Sequence, residues 1–563
     1  MGDANGVAAE AERFAIGISF GNTSSSIARI SPEGKAEVIA NEEGDRQIPS
    51  ILSYIEGEEY HGTQAKAQLI RNSSNTVAYF RDYLGKEFKS IDPTPCHASA
   101  HPQQSESTVA FNIRDTPSET RNNVTVSEIT TRHLRRLKQS ASDFLGKQVN
   151  AAVITVPTDF TDAQREALIA AAKEAGIDVL QLIAEPVAAV MAYDARPEAT
   201  VTDKLVVVAD LGGTRSDVAV VASRGGMYTI LATAHDYELG GASLDKVIID
   251  HFAKEFMKKH KTDPREDVRG LAKLKLEGEG TRKALSLSAN AQLSIESLAA
   301  GIDYGSTVNR TRFELLSGKV FTQFTDLIQQ VVKKAELDVL DIDEVIFSGG
   351  ASHTPKIAQL AKNIFPETTN ILAPSTCTSA INPSELSARG AAVQASLVQE
   401  FDHEDIEQSI HPMVTVTPHL SKAIGVEFTS TTDVTFQPLL ASETALPARR
   451  IAQYSAPKEG GDVLVRVCEG AREIKVTKPE PKPKEEKPAD DEDSDFSDED
   501  EEEDIREIVW KTEKPVAELA VKGVKAGGKV EVMVHVNPDL GLQIAVREVG
   551  GQTAVRGAIN GSA

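Results

Sequence analysis

Ala209-Asp210-Leu211-Gly212-Gly213-Thr214-Arg215-Ser216-Asp217-Val218-Ala219 repeats, in outline, a segment near the amino terminus, Ile18-Ser19-Phe20-Gly21-Asn22-Thr23-Ser24-Ser25-Ser26-Ile27-Ala28. Each copy is an apolar run, a turn of small residues and a second run, the pattern of a strand, a tight turn and a strand. Glycine admits positive φ and close backbone approach, so successive amides in such a turn can face phosphate oxygens. One copy alone reads as an ordinary hairpin. Two copies predict a pair of hairpins that clamp a polyphosphate from opposite sides.

Outward from the repeat, short β-branched runs alternate with Ala- and Leu-rich helical stretches from Phe14 to about Gln399, an α/β pattern. Ala152-Val153-Ile154-Thr155-Val156-Pro157 reads as a buried strand, and Thr161-Asp162 opens a helix that stops near Gly176. Val345-Ile346-Phe347 is a second such strand, followed by Ser348-Gly349-Gly350-Ala351 and a helix with Pro355 in its first turn. Near Phe401 to Pro412 the composition turns acidic and irregular, which reads as a linker. Beyond it the helical period is gone. Val463–Val467, Val530–Val536 and Leu542–Val546 read as strands of an all-β module, the last two joined by the turn Asn537-Pro538-Asp539-Leu540-Gly541. The expected division is a leader at 1–13, an α/β domain at 14–399, a linker at 400–414, a β module at 415–551 and a tail at 552–563.

The chain has 563 residues, enough for several domains, with 40% hydrophobic and 26% charged residues. Its formal net charge is −24, and twelve of the fifteen residues from Asp490 to Asp504 are acidic. This block ends an insertion at 478–504 that a sheet must loop out at a turn. Two readings of it stand, a solvating excursion or a tether for basic partner surfaces. The acidic balance argues against a direct grip on nucleic-acid phosphates. No apolar run reaches membrane-spanning length, no secretory signal or lipidation motif is present, and Cys96, Cys377 and Cys468 lack metal-ligand spacing. A cytoplasmic chain without a structural metal is expected.

Six segments carry a resemblance to a known family: Ile16–Gly21, Asn41–Ser50, Ile154–Pro157, Ala184–Ala189, Asp210–Thr214 and Arg389–Gln394. Together, in this order, they resemble the DnaK-type heat-shock chaperones over nearly the whole chain. The resemblance implies an α/β actin-like two-lobed nucleotide-binding domain and a C-terminal all-β sandwich that binds peptides. It implies ATP as the ligand, with Mg²⁺ as a possible companion. It maps one phosphate hairpin to Gly21, Asn22 and Thr23, and the other to Gly212, Gly213, Thr214 and Arg215, with Gly241 nearby. Lys66 matches a lysine aimed at the attacking water, while Glu185 and Asp210 match magnesium-side carboxylates. Glu279, Arg282, Lys283 and Ser286 match an adenosine-binding helix, and Gly349 and Gly350 the loop beneath the nucleotide. Read without the resemblance, Lys66 on a helix is more often a solvated charge, and Glu185 before Pro186 is a favourable helix-start residue.

The departures matter as much. Ser19 stands where the family has Asp, Asn22 where it has Thr, and Thr214-Arg215 where it has Gly-Thr. A hydroxyl cannot supply the charge that holds hydrated magnesium. Arg215 is expected beside the triphosphate, where a cation both holds phosphate and displaces metal. The linker is polar where the family's is Leu-rich, and too few residues follow Gly551 for the family's helical lid. These features resemble the lidless, non-hydrolysing chaperone subunit of fungal ribosome-associated complexes. That implies a stable zuotin-type J-domain partner, contact with the ribosome through it, and support of a second chaperone ATPase of the same family during co-translational folding. The rival readings are a cycling ATPase chaperone that binds nascent chains itself and an actin-like sugar kinase, the latter disfavoured by the C-terminal strands.

Overall fold

The computed structural model describes residues 13–91, 99–118, 120–200, 202–410, 418–429, 434–477, 505–551 and 554–561. The leader up to residue 12, Cys96, the linker from 411 on and the acidic insertion 478–504 lie outside the described residues, as do 552, 553, 562 and 563 of the tail. The chain divides into two compact units between Ile410 and His411.

The first unit carries the duplication in its topology. One sheet runs, in spatial order, Asp178–Ala184, Ala151–Val156, Ala15–Phe20, Ser24–Ile30, Ala36–Ile39, with Ile48–Pro49 paired at its side. The first three of these strands are parallel and the last two antiparallel. A second sheet repeats that plan: Asn370–Leu372, Glu344–Ser348, Lys204–Leu211, Ser216–Arg224, Met227–Asp236. The central strands read as apolar runs because helices cover both faces, and Ala151–Val156 is buried at every position.

Each lobe has its own core. Ile16, Ile18, Phe20, Ile154 and Leu134 belong to the first, and Val207, Val220, Phe252, Phe324 and Phe347 to the second. A fully buried side chain of this kind contributes roughly 1.5–3 kcal/mol. Between the lobes cross the helices Glu185–Asp194 and Leu386–Val398, whose contacts are made by small residues. Ala188 packs with Ala391 and Val153 on the first sheet, while Ala189 and Val190 pack with Val206 and Val208 on the second.

Local signals operate as the sequence suggests. Thr161 and Gln164 form a reciprocal capping box that starts the helix Asp162–Glu174, and Gly176 follows its end with φ +76°. The expected linker departs from its reading: His403–Ile410 is a helix. Its polar composition hides one buried apolar residue, Ile406, which joins the core cluster that includes Ala151, Val153 and Leu180. Glu404 and Asp405 sit in its first turn, where acidic groups oppose the helix dipole.

The second unit is a sandwich of two four-stranded antiparallel sheets. One runs Val434–Leu440, Ala423–Thr429, Gly461–Thr477, Ile505–Val524; the other runs Ala448–Ser455, Lys529–Val536, Leu542–Glu548, Ala554–Ile559. Val530, Val532, Val534 and Val536 point inward at period two. Thr477 and Ile505 are direct register partners, so the insertion leaves and re-enters at one end of a ribbon. The expected tail also differs: Ala554–Ile559 is a strand, mostly exposed, held by its pairing to Leu542–Glu548 and not by apolar burial. Among the described residues of this unit there is no helix, and this strand is its last element.

Candidate nucleotide site

The two hairpins of the repeat face each other across a cavity of about 500 Å³ in the first unit. The turn after Ala15–Phe20 brings Gly21, Asn22 and Thr23, and the turn after Lys204–Leu211 brings Gly212, Gly213, Thr214 and Arg215. A Cβ on Gly213 would run into the Thr23 side chain, so only glycine lets the hairpins come this close. Gly349, at φ +82°, lies against Asp210, and with Gly350 it lines the floor. Glu279, Arg282, Lys283 and Ser286 line one wall from the helix Val268–Leu287. Gly241 does not line the cavity. It starts the helix Gly241–His260 and donates its amide to the Gly212 carbonyl (2.9 Å), bracing the second hairpin from behind.

Lys66 lines the cavity beside this wall. Its Nζ donates to Glu279 Oε2 at 2.7 Å, so it ties the first lobe to the wall helix. Burial alone would raise the Glu279 carboxyl, but Lys66 and Lys283 outweigh it and hold it at about 2. The cation that faces the carboxylates is Arg81, which the sequence reading missed. Its Nη1 lies 3.4 Å from Glu185 Oε1 and 3.4 Å from the Phe20 carbonyl, while its Nε donates to Asp82 (2.8 Å). Arg81 is buried over the Phe160 ring. It sits in a single 3₁₀ turn, Arg81–Tyr83, where no spacing or glycine pattern marks it.

Burial pushes both the Glu185 and Asp210 carboxyls upward; Arg81 opposes this at Glu185, and Asp217 adds to it at Asp210. Asp210 accepts a hydrogen bond from Ser348 Oγ at 3.3 Å. Ser19 lines the same corner and brings no charge.

Arg215 does not present a free guanidinium to the cavity. It pairs with both oxygens of Asp217, donates to Asp159 Oδ1 (2.9 Å), and lies 4.6 Å from the centre of the Tyr237 ring. Asp159, Asp217 and His235 have the mutual spacing of metal ligands, yet the negative charge they would offer an ion is met by this guanidinium. Asn22 Nδ2 donates to Thr214 Oγ1 at 3.0 Å, joining the two hairpins directly. Its Oδ1, an acceptor, is buried without a partner among the described residues. The paired hairpins, the glycine floor and the cationic wall fit a nucleoside triphosphate. The carboxylate corner fits a divalent ion poorly, since Arg81 already supplies positive charge there and Ser19 supplies none.

The family model described as Hsp70 protein matches residues 15–480. A heat shock protein 70 homolog of Schizosaccharomyces pombe is 44% identical over 98% of this chain and 97% of its own length. The ribosome-associated complex subunit SSZ1 of Saccharomyces cerevisiae is 43% identical over 97% of this chain and 99% of its own. Heat shock 70 kDa protein 14 of Xenopus tropicalis is 32% identical over 81% of this chain and 87% of its own.

Proposed function

The chain belongs to the Hsp70 family, and from that premise we propose that it is an ATP-holding, weakly hydrolysing or non-hydrolysing scaffold of a ribosome-associated complex. One observation carries the first half of this reading. At the diverged positions the polar groups are bonded to protein: Asn22 to Thr214, and Arg215 to Asp159 and Asp217. The glycine cradle meanwhile persists. Phosphoryl transfer is almost entirely positioning and electrostatics. Loss of a single positioned group lowers such a rate by roughly 10²–10³. Several losses in one shell, with the cradle kept, favour binding over turnover. Arg81 takes the place of a metal's charge beside Glu185, so the grip on ATP needs no Mg²⁺.

The second half rests on the yeast relative's description as a ribosome-associated complex subunit. By this reading a zuotin-type J-domain protein is the stable partner, and the ribosome in the cytoplasm is reached through it. The pair supports a second chaperone ATPase of the same family during co-translational folding. The strongly acidic chain suits indirect contact with the ribosome better than a direct hold on RNA. The β-sandwich offers sheet edges that accept an extended segment by backbone pairing, which suits a fixed partner strand.

Calorimetric titration with ATP, with and without a magnesium chelator, tests the nucleotide reading. Saturable binding that survives the chelator is expected. Binding only with magnesium, accompanied by turnover, favours the rival: a cycling ATPase chaperone that binds nascent chains directly.

A further inference from the structure

We propose that Arg215, Asp159 and Tyr237 form a latch that holds the two lobes of the first unit together whether or not nucleotide is bound. Asp159 follows the strand Ala151–Val156 of the first sheet, and its neighbour Phe160 belongs to the first lobe's core. Arg215 and Asp217 lie on the second sheet's hairpin, and Tyr237 just beyond the strand Met227–Asp236. Every bond from Asp159 to Arg215 or Tyr237 therefore crosses the cleft. Asp159 takes the guanidinium on Oδ1 (2.9 Å) and the Tyr237 hydroxyl on Oδ2 (2.8 Å), so both of its oxygens are engaged by the opposite lobe.

The far side of the latch is rigid. Asp217 pairs with Arg215 and accepts a hydrogen bond from His235 Nδ1 at 2.6 Å, and His235 stacks on Tyr237 with an interplanar angle of 22°. Arg215 is 5% exposed, so the pair is screened little by solvent, whereas the Tyr237 ring is exposed and covers it. Burial would raise the Asp159 carboxyl, but Arg215 and the Tyr237 hydroxyl hold it below the ordinary range, so it stays charged. The Asn22–Thr214 bond and the Lys66–Glu279 ion pair add further ties between the lobes. In a nucleotide clamp whose lobes are joined only through their ligand, release opens the cleft. Here the protein closes on itself, and the ligand is held behind the latch.

The proposal rests on the nucleotide reading only for its effect on release; closure of the empty cleft is independent of it. Hydrogen exchange on the full-length protein, nucleotide-free and with ATP, is the test. For the nucleotide-free wild type, protection of the amides at residues 22–25 and 212–217 is expected, with little further gain on adding ATP. Asp159→Ala is expected to speed their exchange about tenfold, a change of about 1.4 kcal/mol. Tyr237→Phe, at an exposed ring, removes one bond without threatening the fold and is expected to give roughly threefold. Release of a fluorescent ATP analogue is expected to quicken in the same order, with the exchange of the β-sandwich unchanged. Free exchange of both hairpins in the empty wild type, or unaltered exchange in both variants, overturns the latch. Protection in the empty protein together with failure to bind ATP keeps the latch and removes the nucleotide reading.

Discussion

At Arg81 a guanidinium stands 3.4 Å from a carboxylate that burial strips of water, and each group makes the other's charge tolerable. Removing one partner of such a pair leaves the other uncompensated. Arg81→Ala is therefore expected to destabilise the protein by about 3 kcal/mol. The loss has a pH signature. Glu185 already titrates above its ordinary carboxylate value, chiefly through burial, and losing Arg81 raises it further. An acid whose folded pKa is raised favours the folded state at low pH and withdraws that support as pH climbs through the folded value. The melting-temperature difference between wild type and Arg81→Ala should thus be larger at about pH 8 than at about pH 6. A difference that shrinks as pH rises contradicts the pairing. Arg81→Lys should recover part of the stability, since a compact ammonium keeps the charge and loses the fork.

Elements were easier to read than residues. The duplicated strand-turn-strand, the capping box at Thr161 and the period-two valines of Lys529–Val536 all announce themselves through spacing. Beside their local partners Asp82 and Asp217, Arg81 and Arg215 each meet a carboxylate from an element remote in sequence, as Lys66 does, and no local pattern encodes which distant carboxylate a buried cation will meet. The helix His403–Ile410 was hidden for a related reason: a single apolar side chain, Ile406, docks it. Ile406→Asp should release that helix at a cost of roughly 2–4 kcal/mol, seen as faster exchange confined to 403–410 and the strands beneath. Unchanged exchange there refutes the docking role. The ribbon ends Thr477 and Ile505 face each other, so replacing 478–504 by a two-residue Asn-Gly turn closes a hairpin directly. The shortened protein should melt within about 2 °C of wild type. A large loss places the insertion inside the fold of the sandwich.

At the scale of the whole molecule, the proposed function turns an Hsp70-family nucleotide clamp into a stable platform. ATP bound to the folded state alone stabilises it by RT ln(1 + [L]/Kd), about 2.7 kcal/mol at a hundredfold excess over Kd. A ligand that is kept and not consumed is suited to holding a partner surface steady instead of driving a cycle. The central claim is retention without turnover, and single-turnover hydrolysis on the purified chain, loaded with stoichiometric radiolabelled ATP and assayed with and without a J-domain protein, tests it most directly. The predicted result is intact ATP recovered from the protein over hours in both conditions. Conversion to ADP at the rate of an active family member, or acceleration by the J-domain protein to that rate, contradicts it.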